Sequence, residues 1–103
     1  MTDPIRIRAR SKGDLTEVLV LMPHPMETGL RKDAAGALVE AHFITDVRVT
    51  TGGRTVLDAR MSIAVSQDPL LGFRFRGGRP GDRISVTWTD NKGETRTDET
   101  VIA

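Results

Sequence analysis

The chain alternates apolar and polar positions over short runs and shows little of the three-to-four-residue period of an amphipathic helix. Its first run places Ile5, Ile7 and Ala9 on one side and three arginines on the other, which is typical of a half-buried strand. Similar runs recur at roughly 8 to 12 residue intervals between clusters of turn residues. The pattern predicts seven strands, at 5–10, 15–22, 43–51, 56–65, 70–76, 84–90 and 94–102.

Turn residues connect several of these runs. Gly52-Gly53 predicts a tight hairpin between the third and fourth runs, and the segment 91–93 predicts another between the last two. The expected core comprises the inward positions of the third, fourth and sixth runs: Val47, Val49, Met61, Ile63, Ile84, Val86 and Trp88. Antiparallel hairpins without crossover helices predict an all-β fold, an immunoglobulin-like antiparallel β-sandwich that forms a single domain over residues 1–103.

The second run departs from simple alternation because residues 18–22 are all apolar. Alternation places Leu19 and Leu21 on the face opposite the other three, and only one face can meet the core. Two explanations remain open. Leu19 and Leu21 form a protein–protein interface, or the long loop that follows, residues 23–41, covers them.

Charge and composition argue against several function classes. The 103 residues include 15 basic and 14 acidic side chains, and a formal charge of +1 gives no general attraction to nucleic acid or membranes. Without cysteine, the chain offers no disulfide, no thiolate nucleophile and no thiolate metal ligand. The start lacks an apolar signal region, and no stretch approaches the ~18 apolar residues of a membrane helix, so these features alone predict a cytoplasmic protein.

His24, Glu27 and His42 have the residue types of a three-ligand metal site. Their spacing argues against one, because no HExxH element is present, prolines flank His24, and His42 opens a strand eighteen residues later. No motif sets a serine beside a histidine and an acid, which argues against nucleophilic catalysis. We therefore expect no metal, no cofactor and no catalytic residue, and a loop ordered by Glu27 or Asp33 bound to Arg31 or to backbone donors.

A basic and aromatic segment around the fifth run resembles the stacking platforms of proteins that bind single-stranded nucleic acid. Strand alternation, however, points Phe73 and Phe75 toward the core and Arg74 and Arg76 toward solvent. The glycine-rich stretch 77–81 joins two strands and opens no helix, so it predicts a turn and no phosphate site. We expect neither a nucleic acid partner nor a membrane partner.

The loop after the second run carries the motif HPMETGLRKD. It resembles the SoxZ family, in which His-Pro-Met-Glu is followed by Thr or Ser and Gly, then by a basic residue and an Asp. The residues that fit this pattern are His24, Pro25, Met26, Glu27, Thr28, Gly29, Arg31 and Asp33. The likeness extends to the Gly-Gly hairpin, to Pro69-Leu70-Leu71 and to TWTDNKG near the end, whereas the basic segment 74–83 departs from the family pattern.

The resemblance implies a non-catalytic subunit of the SoxYZ carrier complex of thiosulfate oxidation. It implies that SoxY, the partner in a heterodimer or larger assembly, bears the cysteine for covalent sulfur intermediates and connects this chain to other thiosulfate-oxidising Sox proteins. It also implies a periplasmic protein that has no signal peptide of its own and is exported with its partner. The alternative is a free-standing β-sandwich module that binds a small ligand or a metal through the His24–Asp33 loop.

Overall fold

The computed structural model describes residues 2–103, which form seven strands in two antiparallel sheets. The strands are β1 (Arg6–Lys12), β2 (Leu15–Leu21), β3 (Ile44–Thr51), β4 (Arg54–Arg60), β5 (Leu70–Arg76), β6 (Arg83–Asp90) and β7 (Thr95–Val101). One sheet has the order β1-β2-β5 and the other β4-β3-β6-β7. The predicted all-β, immunoglobulin-like sandwich is confirmed. Within the described part of the chain, no helix is long and apolar enough to cross a membrane.

The inner faces of the two sheets form one core. Five of the predicted core residues are confirmed, each with at most 1% of its surface exposed: Val47, Val49, Ile84, Val86 and Trp88. The opposite sheet contributes Val18 and Val20 of β2. Phe75 is also buried and Phe73 packs partly buried against the core, as alternation predicts. The aromatic rings of β5 therefore serve packing.

The fourth strand ends earlier than the sequence pattern predicts. β4 ends at Arg60, where its ladder with β3 also ends, at the pair Asp46–Arg60. Without a neighbouring strand, residues 61–69 run through turns toward β5. Met61 is consequently only partly buried and Ile63 is 41% exposed, so the prediction of a buried Ile63 is wrong. The other six strands differ from prediction by at most two residues at either end.

The Gly52-Gly53 hairpin between β3 and β4 is confirmed, and both glycines have positive φ angles, 57° and 74°. Side chains disfavour this backbone region, so the tight turn requires glycine. The long loop between β2 and β3 folds back on itself through two isolated bridges, Glu27–His42 and Lys32–Leu38. It lies at the end of the sandwich beside the β6–β7 turn.

Candidate functional site

The motif loop, residues 24–33, is fastened to the start of β3 and ordered by its own side chains. Glu27 and His42 exchange backbone hydrogen bonds, with N···O distances of 2.6 and 2.9 Å. Arg31 donates to the Glu27 carboxylate at 2.8 Å, and this hydrogen bond lowers the pKa of Glu27. The Asp33 carboxylate accepts the backbone N–H groups of residues 35 and 37. The expected contacts of Glu27 and Asp33 are confirmed.

Two further motif residues fit the loop against the sandwich. Gly29 has a φ of 85°, and a Cβ placed there would lie 3.2 Å from the Cβ of Ala41, so glycine suits both the backbone and the space. Met26 is buried, and its sulfur accepts the backbone N–H of Ile44 at 3.2 Å. The Met-Glu-Thr-Gly sequence thus fixes the position of the loop on β3.

His24, His42 and Asp90 form a polar cluster at the end of the sandwich. Asp90 Oδ2 lies 3.0 Å from His24 Nε2 and 2.7 Å from His42 Nε2. The other oxygen, Oδ1, accepts the backbone N–H groups of Lys92 and Glu94 at 3.0 and 2.9 Å. The side chains of His24 and Asp90 are almost fully buried, whereas that of His42 is 20% exposed. One carboxylate therefore links the motif loop, the start of β3 and the β6–β7 turn.

The protonation of this cluster follows from its hydrogen bonds. Burial is the largest single influence on the pKa of Asp90 and raises it, but the bonds from His24, His42 and two backbone N–H groups together outweigh burial and lower the pKa. His24 Nδ1 accepts the backbone N–H of Met26 at 3.1 Å, which places the imidazole proton on Nε2, facing Asp90. The arrangement is a hydrogen-bonded clasp around an ionised carboxylate.

Residue types alone would group the two histidines with Glu27, whereas the structure groups them with Asp90. Glu27 binds Arg31 instead. The signal for Asp90 was its position, because β6 points every second residue inward and Asp90 continues that series at the end of the strand. A carboxylate at an inward position indicates a buried hydrogen-bonding partner.

Two histidines and one carboxylate are also a donor set that divalent metals use. Their ligand atoms lie within 4.8 Å of one another, and Glu94 Oε1 is 3.5 Å from His42 Nε2. The contacts to Asp90 are hydrogen-bond distances, and a metal would require both Nε2 atoms to lose their protons. The donor set keeps open the alternative of a metal-binding module.

The outer face of the β1-β2-β5 sheet is a second candidate site. Leu19 is 45% exposed and Leu70 64% exposed, and Leu21 between them is partly buried. The exposure of Leu19 shows that the long loop does not cover it, since the loop packs at the end of the sandwich near Asp90. The interface explanation of Leu19 and Leu21 is retained as a prediction.

The family model described as sulphur oxidation protein SoxZ matches residues 5–101, nearly the whole chain. The chain therefore belongs to the SoxZ family and has a role in sulfur oxidation. No curated protein sequence matches it.

Solved structures share the fold at low sequence identity. A hypothetical protein of Pyrococcus horikoshii OT3 matches with a TM-score of 0.69 and 18% identity, over 98% of this chain and 88% of that one. A mutant superoxide reductase (neelaredoxin) of Archaeoglobus fulgidus in the reduced form matches with a TM-score of 0.67 and 18% identity, over 99% and 90%. A superoxide reductase in the oxidised state has a TM-score of 0.63 and 16% identity, over 96% and 86%. At these identities the likeness shows the fold alone.

Proposed function

We propose that this chain is the non-catalytic subunit of a SoxYZ carrier complex, in which the partner SoxY holds the covalent sulfur intermediates of thiosulfate oxidation. The supporting observation is a SoxZ family match over residues 5–101 in a chain that has no cysteine. Sulfur attachment of this kind uses a thiolate, which this chain cannot supply. The sulfur must then be carried by another subunit, and the role of this chain is to bind that subunit.

The surface proposed for this pairing contains Leu19 and Leu21. Leu19 lies at the centre of β2 with nearly half of its surface in water, and Leu70 of the neighbouring strand is more exposed still. Burial of this apolar surface by a partner would contribute about 25 cal/mol per Å² to the free energy of association. The complex is a heterodimer or a larger assembly, and the chain interacts with other thiosulfate-oxidising Sox proteins through SoxY.

Co-expression with SoxY tests the proposal. The SoxY used in this test would be identified as a neighbouring reading frame that ends in a Gly-Gly-Cys-Gly-Gly-like arm. Tagged SoxY should retain this chain in a stoichiometric complex through affinity purification and gel filtration. A chain that elutes alone at micromolar concentration of both proteins would contradict the proposal.

We further propose that the complex works in the periplasm and that the chain crosses the membrane folded together with SoxY. The test is cell fractionation after deletion of the signal peptide of SoxY. The proposal predicts that this chain then remains in the cytoplasm, although its own sequence is unchanged. Periplasmic accumulation without the SoxY signal would contradict the shared export.

The second candidate is a free-standing module that binds a metal or a small ligand through the His24–Asp33 loop. One observation favours it, the convergence of His24, His42 and Asp90. The hydrogen bonds of that cluster already satisfy both carboxylate oxygens, so the cluster is explained without a bound ion. The carrier-complex role is therefore the first proposal.

A further inference from the structure

The outer face of the β1-β2-β5 sheet, here called the cationic face, combines leucines with an excess of positive charge. The register places Leu19 between Arg8 and Gly72, and Glu17 between Arg10 and Arg74. Six basic residues have side chains on this face: Arg6, Arg8, Arg10, Lys12, Arg74 and Arg76. Glu17 is its one acidic residue. The face is therefore strongly positive, although the chain as a whole carries a formal charge of +1.

The arginines of the cationic face have no ionic partner within residues 2–103. Lys12 is bound to Glu17 at 3.1 Å, which occupies the one carboxylate of the face. Arg6, Arg8 and Arg10 follow one another at every second position of β1, so their side chains lie about 7 Å apart on the same side of the sheet. Apart from Glu17, which lies across from Arg10, the described strands bring no acidic side chain onto this face to offset the mutual repulsion of the arginines.

The outer face of the other sheet shows the opposite arrangement. Its six charged residues form three cross-strand ion pairs, Arg48–Asp58 at 3.6 Å, Arg60–Asp46 at 3.9 Å and Arg83–Glu99 at 3.8 Å. Charges on that face are balanced within the chain. Of the two outer faces that the described residues form, only the cationic face therefore leaves its arginines without ion pairs.

The cationic face is also concave and partly apolar. Because Gly72 has no side chain, the space beside Leu19 is open, and Leu19 Cδ1 would lie 3.5 Å from a Cβ at that position. A groove of about 920 Å³ runs along Arg8, Leu19 and Arg74 and extends past β1 to Val101 and Ala103. A second groove of about 270 Å³ lies beside Leu21 and Leu70. The face can therefore accept an apolar projection surrounded by charge.

We infer that the cationic face docks a protein surface that carries carboxylates around an apolar projection. This inference rests on the proposed function, in which that surface belongs to SoxY, and adds that the contacting surface of SoxY is acidic. Five of the six basic residues are arginines, whose planar guanidinium group pairs with carboxylates in two-pronged fashion and is enriched in protein interfaces. A nucleic acid fits less well, because Phe73 and Phe75 face the core and leave no aromatic platform for bases.

The test measures the association of this chain with SoxY at about 50, 150 and 500 mM NaCl, a range that brackets physiological salt, where the Debye length is about 8 Å. Charge reversal with Arg8→Glu and Arg74→Glu should slow association about tenfold or more at the lowest salt, since steering by complementary charge acts mainly on the association rate. The matched control, Arg48→Glu with Arg83→Glu, makes the same charge change on the balanced face and should leave the rate within about twofold.

The outcomes separate the inference from the proposed function. Association that weakens with salt and with reversal of Arg8 and Arg74, but not in the control, supports an acidic partner surface. If association requires Leu19 and Leu21 but its rate does not change with salt or with charge reversal, the inference is overturned and the proposed pairing with SoxY stands. Wild-type protein that does not bind SoxY overturns the proposed function and the inference with it. Binding of a single-stranded or duplex oligonucleotide at 150 mM NaCl, lost in the reversed variant, would make nucleic acid the occupant and overturn the inference.

Discussion

Asp90 Oδ2 lies 2.7 Å from His42 Nε2, across 48 residues of sequence. The same oxygen accepts a hydrogen bond from Nε2 of His24 in the SoxZ motif, so the end of β6 anchors both ends of the long loop. The histidine of the motif is therefore explained as a buried structural donor whose acceptor comes from the opposite end of the sequence.

Asp90→Asn should lower the free energy of unfolding by about 2–3 kcal/mol, the cost of leaving buried donors without acceptors. An asparagine side chain has one oxygen and one NH₂ group, so the NH₂ must face either the imidazole N–H groups or the backbone N–H groups of Lys92 and Glu94. The change in unfolding free energy is measured by urea denaturation that is monitored by circular dichroism.

The matched control for that experiment is Asp58→Asn. Asp58 is exposed on β4 and pairs with Arg48 at 3.6 Å, so the same chemical change should cost at most ~1 kcal/mol there. If the two variants lose the same stability, the clasp contributes nothing specific.

Stability should also depend on pH through Asp90, whose pKa is lowered in the folded chain. A carboxyl group with a lowered folded pKa stabilises the protein above its unfolded pKa of about 3.9, and this contribution is lost as the pH falls through the folded pKa. The stability of the wild type should therefore fall below about pH 4. The stability difference between wild type and Asp90→Asn should shrink over the same window. A difference that stays constant from neutral pH into that acid range would refute this contribution.

The clasp should remain free of metal when zinc is offered. Zinc binding would require both Nε2 atoms to release their protons and would break the two hydrogen bonds to Asp90. Metal-free protein, incubated with zinc and dialysed, should retain substoichiometric zinc by mass spectrometry of the metal. Stoichiometric zinc that disappears in a folded His24→Ala variant would favour the alternative of a metal-binding module.

The chain should gain no sulfur during thiosulfate oxidation, because it has no cysteine to form the bond. Intact-protein mass spectrometry after incubation with SoxY, the cognate enzymes and thiosulfate should place the added mass on SoxY. Treatment with dithiothreitol distinguishes sulfur adducts, which it removes, from oxidised methionines, which it does not restore. A dithiothreitol-sensitive adduct on this chain would contradict its assignment as the subunit that carries no sulfur.

Period-two alternation was sufficient to predict most of the fold. The inward series of β3 and β6, with Val47, Val49 and Trp88 among its members, is local and reads directly from the sequence. Ile63 continues such a series beyond β4, but the pairing of β4 with β3 ends at Asp46 and Arg60, and alternation alone does not indicate where strand pairing ends. The error at Ile63 therefore comes from the sheet and not from the residue pattern.

The two candidate sites depend on contacts that sequence order conceals. The motif located His24, but its acceptor Asp90 belongs to a different hairpin. The arginine series of β1 and of β5 are each visible in the sequence, but only the strand order β1-β2-β5 places Arg10 and Arg74 on either side of Glu17. Strand order between distant segments follows from long-range packing, which a local pattern does not encode.

The pairing itself is tested most directly by the affinity of SoxY for the double variant Leu19→Thr, Leu21→Thr. Threonine keeps the β-propensity of the strand and removes apolar area from its outer face. The matched control is Leu30→Thr with Leu38→Thr, because these leucines are 76% and 64% exposed on the long loop.

We expect the Leu19, Leu21 variant to bind SoxY about a hundredfold more weakly, since two leucines removed from a contact are worth several kcal/mol before the entropy cost of binding. Its melting temperature should fall only slightly, and the control should bind like the wild type. If the variant instead unfolds while its folded fraction binds SoxY with wild-type affinity, Leu19 and Leu21 belong to the core and the interface assignment is wrong.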